Sequence, residues 1–166
     1  MAYATAQNML DYFGSQELSQ LATPRRYKPV DVELLELVII NGDTSGYPPN
    51  DVALAEKVVE IIELALEDAS LEMDSYIRIH NKLPLNVTVI YSSPLPRKNG
   101  DIARWILAKS HPSEEITERY EIALKYLTGL SNGSVRLPSE DTTDSSPSST
   151  RVTVGHTEYS IDWSTY

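Results

Sequence analysis

Asp68, Glu72 and Asp74 crowd one short acidic stretch, and they are the side chains best suited to chemistry in this sequence. Paired carboxylates can hold a divalent cation or act as acid and base. On a helix only Asp68 and Glu72, four residues apart, share a face. Nothing in the sequence positions a substrate beside them. A solvated acidic face is therefore the default reading, and an enzyme with a carboxylate-bound metal is the rival. His80, His111 and His156 are widely separated. They read as exposed or locally hydrogen-bonded histidines rather than as a metal site. There is no cysteine, which removes disulfides and thiolate ligands. No Gly-rich phosphate loop, nucleophile elbow or HExxH pair occurs. The expectation is a protein without catalytic residues, metal or cofactor.

The carboxylates sit on what the spacing predicts to be a long helix. From Ala55 to Tyr76 the apolar residues fall at Ala55, Val58, Ile62, Ala65, Ala69, Met73 and Tyr76. Gaps of three and four keep one face apolar through about six turns. Glu56, Glu60, Glu63, Glu67 and Asp74 run along another face. Such a helix reads as a strut that packs on its own chain on one side and faces water or a neighbour on the other. Asn50 or Asp51 is the expected cap, and the helix is expected to reach about His80, with Pro84 ending any continuation.

Shorter elements flank the strut. Thr5 is a plausible N-cap for a helix over Ala6 to Phe13, stopped by Gly14. Ser15 can cap a second piece, Gln16 to Leu21, with Leu18 and Leu21 buried. Val30 to Ile40 fits either a helix capped by Asp31 or a strand at Val38-Ile39-Ile40. Glu33, Leu34 and Glu36 favour the helix. Asn86 to Tyr91 is β-prone but flanked by prolines, so a strand or an extended arm is expected. A short helix over Asp101 to Lys109 should bury Ile102, Trp105 and Ile106. Pro112 sits where a first helical residue belongs, and Glu114 and Glu115 suit a first turn. That last helix carries Ile116, Tyr120, Ala123, Leu127 and Leu130 at helical spacing and should end at Gly129 or Gly133.

Beyond Pro138 the composition changes. Ser139 to Thr150 is dominated by Ser and Thr with no large apolar residue, which marks a linker that cannot join a packed core. After it, Val152 and Val154 alternate, then Tyr159, Ile161 and Trp163, with Gly155 between. This is a β-hairpin pattern. A lone hairpin is marginal in water, so the segment is expected to dock on a partner through Arg151, Val152, Val154, Tyr159, Ile161, Trp163 and Tyr166.

At 166 residues the chain makes one domain with an appendage. Its formal charge of −10 argues against a conventional nucleic-acid binder. It is compatible with a wall that DNA passes without adhering, since acids repel phosphate within about 10 Å at moderate salt. Met1-Ala2-Tyr3-Ala4-Thr5 lacks a signal pattern and no apolar run reaches membrane-spanning length, so a soluble protein made in a cytoplasm is expected. Asn86-Val87-Thr88 and Asn132-Gly133-Ser134 match the glycosylation pattern by chance on that reading.

Three ordered stretches resemble the Mu-like phage connector proteins, also called head-completion or head–tail adaptor proteins. The first is Tyr3-Ala4-Thr5-Ala6-Gln7-Asn8-Met9-Leu10-Asp11-Tyr12-Phe13-Gly14 with Glu17-Leu18. The second is Ala65-Leu66-Glu67-Asp68-Ala69-Ser70-Leu71-Glu72-Met73-Asp74-Ser75-Tyr76-Ile77, followed by Leu83-Pro84-Leu85. The third is Asp101-Ile102-Ala103-Arg104-Trp105 with Glu118-Arg119-Tyr120-Glu121-Ile122-Ala123 and Leu127. The resemblance covers most of Met1 to Pro138. Arg25 to Pro49 looks like an insertion against it, Leu85 to Lys98 is long, and the tail lies outside it. It implies an all-α fold and a ring, commonly twelvefold, below the portal, with no catalytic residues.

Together these readings make an all-α protein, a small helical bundle built on one long helix, with an extended C-terminal tail of hairpin pattern. The expected function is a virion protein at the head–tail junction, synthesised in the bacterial host. Its partners would be the portal, tail or collar proteins and further copies of itself, with DNA passing through the ring and no membrane involved. Glu56, Glu60, Glu63 and Glu67 are the candidate channel-facing residues. Should they instead meet a neighbouring subunit, Arg97, Lys98, Arg104 and Lys109 are the candidate partners. The alternative is a non-phage helical adaptor or regulatory module.

Overall fold

Seven helices, and no strand, occupy the described residues of the computed structural model, which are 2–108 and 111–138. The segment from 139 onward, including the expected linker and hairpin, and Lys109 lie outside them. The helices are α1 (Ala6–Phe13), α2 (Ser15–Ala22), α3 (Val32–Ile39), α4 (Pro49–Ile77), α5 (Val87–Tyr91), α6 (Leu95–Ala108) and α7 (Glu114–Ser131).

The strut is α4, whose 29 residues span about 43 Å at the standard helical rise. Ala55, Val58, Ile62, Ala65, Ala69, Met73 and Ile77 form its buried stripe, with Tyr76 half-buried at the margin. α6 makes the most extensive contacts with this stripe, α3 and α7 also pack on it, and α1 and α2 cover the junction with α6. One hydrophobic core results. Leu18, Leu34, Leu35, Ile62, Met73, Ile102 and Leu127 are all fully buried in it.

Several helix starts follow from local capping. The Thr5 hydroxyl accepts the Asn8 N–H at 3.2 Å while the Asn8 side chain accepts the Thr5 N–H at 3.0 Å, a reciprocal capping box. Asp31 accepts from the N–H groups of Glu33 and Leu34, both at 3.0 Å, which makes Val32–Ile39 a helix. Leu34, Leu35 and Ile39 then bury against α4, so the stretch that looked inserted belongs to the core. Ser113 caps α7 by accepting from Ile116 N–H at 3.3 Å.

Other boundaries depart from expectation. The cap of α4 is Pro48 and not Asn50 or Asp51. Pro49 pre-sets φ for the first turn, and Asp51 sits within that turn, where its charge suits the helix dipole. The helix ends at Ile77, short of His80. Pro112 precedes the Ser113 cap and is not the first helical residue. Asn86 to Tyr91 is neither strand nor arm. Asn86 accepts from Thr88 N–H at 3.0 Å, one turn of helix follows, and Val89 and Ile90 bury; packing has overridden β propensity. α6 begins six residues before Asp101, at Leu95. Pro96 is tolerated there because a first-turn N–H has no helical partner to lose.

Two glycines inside helices are sites of close approach. A Cβ on Gly100 would stand 3.2 Å from the Tyr12 ring and 3.4 Å from Met9 Sδ, so its absence lets α1 seat on α6. A Cβ on Gly129 would stand 2.8 Å from Val135 Cγ2. The chain after α7 folds back there, with Val135 N–H donating to Gly129 O at 2.9 Å. Gly129 therefore stays within α7. The reversal falls at Gly133, whose φ is +77°.

Candidate functional site

The acidic stripe is real but shorter than its spacing implied. Glu56, Glu60, Glu63 and Glu67 are all exposed on α4. Among the described residues none of the four has a salt-bridge partner. From Glu56 to Glu67 the stripe extends about 16 Å along the helix. Beside it, Leu64 and Leu71 point away from the core at 60% and 66% exposure. Asp74 drops out of the stripe. It is half-buried and accepts a hydrogen bond from the Tyr3 hydroxyl. Burial first, and then that carboxylate, push the Tyr3 phenol well above its ordinary pKa.

The remaining candidate chemistry is dispersed. Asp68 is exposed, whereas Glu72 is half-buried and accepts from the Tyr120 hydroxyl at 3.3 Å. Among the described residues no three His, Asp or Glu side chains converge where they could hold a metal. His80 is exposed with Nε2 3.0 Å from Ser131 O, and His111 is exposed. His156 lies outside the described residues, as do Arg151, Val152, Val154, Tyr159, Ile161, Trp163 and Tyr166 of the expected docking segment.

The candidate intersubunit cations are largely occupied within the chain. Arg104 is buried, its side chain 7% exposed. Its Nη2 donates to Glu17 Oε2 at 3.0 Å and its Nη1 to Glu115 Oε1 at 3.2 Å, tying α6 to α2 and to the start of α7. Burial works to lower its pKa, but the two glutamates outweigh that and hold it up. Arg104 is thus an internal clamp and is not available to another subunit. Arg97 lies 4.7 Å from the Tyr12 ring and 4.9 Å from the Phe13 ring, and Arg104 stacks on Phe13 from 4.7 Å. Arg97 Nε and Lys98 Nζ also approach Asp101, at 3.4 and 3.9 Å.

Three features escaped the sequence reading. The first is a buried polar knot that pins the N-terminal arm. Asn99 accepts from Ala4 N–H at 3.0 Å and donates to Leu66 O at 3.2 Å and Ser70 Oγ at 3.0 Å. Ser70 Oγ in turn accepts from Tyr3 N–H at 3.2 Å. The second is Asp101, 1% exposed, whose Oδ1 has no hydrogen-bond partner among the described residues and only the ion-pair approach of Arg97 Nε at 3.4 Å. Burial pushes its carboxyl up, against the downward pull of Arg97, Lys98, Arg119 and Arg104. Neither Asn99 nor Asp101 has a signal in the apolar spacing, which places the start of this helix at Asp101, six residues after its start at Leu95. The third is a groove of about 600 Å³ between the end of α4, α5 and the strap after α7.

No helix among the described residues is long and apolar enough to cross a membrane. A family model described as Bacteriophage Mu, Gp36 matches residues 3–155. The match runs past Pro138, where the motif resemblance stops. No curated protein matches the chain.

Proposed function

The chain belongs to the bacteriophage Mu Gp36 family, and from that premise we propose that it is a head–tail connector of the virion. Copies stand side by side in a ring that extends the portal channel at the neck, and the protein acts by geometry without catalysis. The observation that carries this reading is the acidic face of α4. Four glutamates are exposed along a rigid helix, and among the described residues none of them forms a salt bridge, with Lys57 the one cation interspersed among them on that helix. Closely spaced like charges are best accommodated facing water or a lumen. Along a channel they would let DNA slide by repelling its phosphates at short range.

The segment after Pro138 supplies attachment. Its alternating apolar and aromatic residues suit strand addition to the portal, where backbone hydrogen bonds give affinity and pockets take alternate side chains. Family membership favours this over a non-phage adaptor. The test is complementation. Purified full-length protein is added to DNA-filled heads lacking it, and the vertices are imaged by negative stain. A ring of density at the portal vertex, followed by tail joining, is the expected result. Protein that leaves the vertex bare, or binds only free tails, would refute the connector assignment.

A further inference from the structure

The groove at the lower end of α4 has a chemical character unlike the rest of the molecule. Its floor is apolar, formed in part by Leu85, Val89, Leu130 and Leu137, and Lys82 and Arg136 stand exposed at its rim. Among the described residues no acidic side chain lines it, in a chain with 24 acids against 14 Lys and Arg. Leu85 also borders a second hollow of about 310 Å³, lined by Tyr3, Leu83, Pro84 and Ile90 and by Asp74, which the Tyr3 hydroxyl engages, so apolar surface continues around α5 as far as that carboxylate. Pro138 lies on the groove's edge, and residues 139–166 begin there. That segment carries five acids and one arginine. Near its far end, Glu158-Tyr159-Ser160-Ile161-Asp162-Trp163 interleaves two carboxylates with three large apolar side chains.

We propose that the groove is a docking site for the chain's own Glu158–Trp163 segment. Tyr159, Ile161 and Trp163 cover the apolar floor, and Glu158 and Asp162 meet Lys82 and Arg136. The nineteen residues between Pro138 and Glu158 have a root-mean-square span of about 24 Å as a coil, enough to turn back on their point of origin. A tether of that length gives an effective concentration on the order of millimolar, so even weak docking fills the site. The docked state would hold the aromatic residues out of water in the unassembled protein. It would compete with any partner for the same segment, and it goes beyond the connector assignment because it holds whatever that partner is.

Zero-length carbodiimide coupling of the full-length protein, read by mass spectrometry, tests this. An equal mixture of ¹⁴N and ¹⁵N protein separates coupling within a chain from coupling between chains. Lys82 should couple to Glu158 or Asp162 within one chain. The yield should fall about tenfold in Trp163→Ala, as for loss of an aromatic anchor, and fall again in about 0.5 M salt, where the charge pairs are screened. Hydrogen exchange gives a second readout. Residues 85–89 and 133–137 should exchange faster in Trp163→Ala than in the parent. Coupling of Glu158 spread evenly over distant lysines such as Lys28 and Lys57 would overturn the proposal. So would coupling found only between chains, or exchange indifferent to Trp163.

Discussion

Asn99 and Asp101 lie two positions apart on α6, both buried, and differ in how their polar atoms are satisfied. Asn99 uses both of its N–H donors and its carbonyl within the fold. Replacing it with leucine would orphan the Ala4 N–H and remove a partner of Ser70 Oγ. A buried unsatisfied group costs about 1–3 kcal/mol, so Asn99→Leu should destabilise by about 2 kcal/mol or more in urea melts. Retention of parental stability would show that the knot is dispensable. Asp101 is the opposite case. Its folded-state pKa is raised, so the folded protein holds this proton more tightly than the unfolded chain does. Its contribution to stability is therefore present below the ordinary carboxylate range and is lost as pH rises through the folded value. Asp101→Asn should remove that downward slope and leave neutral-pH stability no lower than the parent's. Melts at a series of pH values check both. Neither residue was legible in the sequence, because polar residues at buried positions carry no periodic signal. Their roles come from what Ala4, Ser70 and the surrounding arginines bring from elsewhere in the chain.

At the scale of elements, apolar spacing and capping chemistry were the readable signals. The stripe from Ala55 to Met73 buries as its spacing requires, and of the series Ile116, Tyr120, Ala123, Leu127 and Leu130 all bury but Tyr120, which is half-buried. Thr5 and Asp31 cap the helices they were expected to cap. The failures are places where contact from outside the element decided the outcome. Gly100 falls outside the helix expected from Asp101 onward, yet it lies within α6 and allows α1 to seat there. Trp105 and Ile106 read as core but are half-buried, Trp105 stacked on Tyr120 with ring centroids 4.3 Å apart. Asn86 to Tyr91 reads as strand until Val89 and Ile90 find a surface. Packing therefore separates leucines that look alike in the sequence. Leu127 is fully buried, and Leu127→Ala should cost about 2–5 kcal/mol. Leu64 is 60% exposed, and Leu64→Ala should change stability by no more than about 0.5 kcal/mol. Equal effects in denaturant melts would mean the face of α4 is misassigned. In Gly100→Ala the new methyl needs the Tyr12 ring to give by a few tenths of an ångström, while alanine gains about 1 kcal/mol of helix propensity, so the net change in denaturant melts should stay within about 1 kcal/mol.

For the whole molecule, the net charge and the placement of its acids decide how copies can meet. Side-by-side copies at −10 each repel. The isolated protein is therefore expected to be monomeric or weakly associating at micromolar concentration and to close into a ring on its partner, which offsets the repulsion. Raising salt screens charges beyond about 8 Å at physiological strength and about 3 Å at 1 M, so light scattering should show association increasing with salt. The four exposed glutamates distinguish two arrangements of the ring. Changing Glu56, Glu60, Glu63 and Glu67 to glutamine moves the net charge from −10 to −6 by removing four negative charges. If the stripe faces a lumen, the variant should associate at lower salt than the parent, and channels built from it should retain DNA more strongly. If the stripe instead pairs with cations of a neighbouring subunit, the same variant should associate less well at every salt concentration. Arg104 cannot supply those cations, because Glu17 and Glu115 already hold it inside the chain. Arg97 and Lys98 face Asp101. Lys109, the remaining candidate partner, lies outside the described residues, so the behaviour of the glutamine variant decides between the two arrangements, and its weaker assembly would overturn the lumen one.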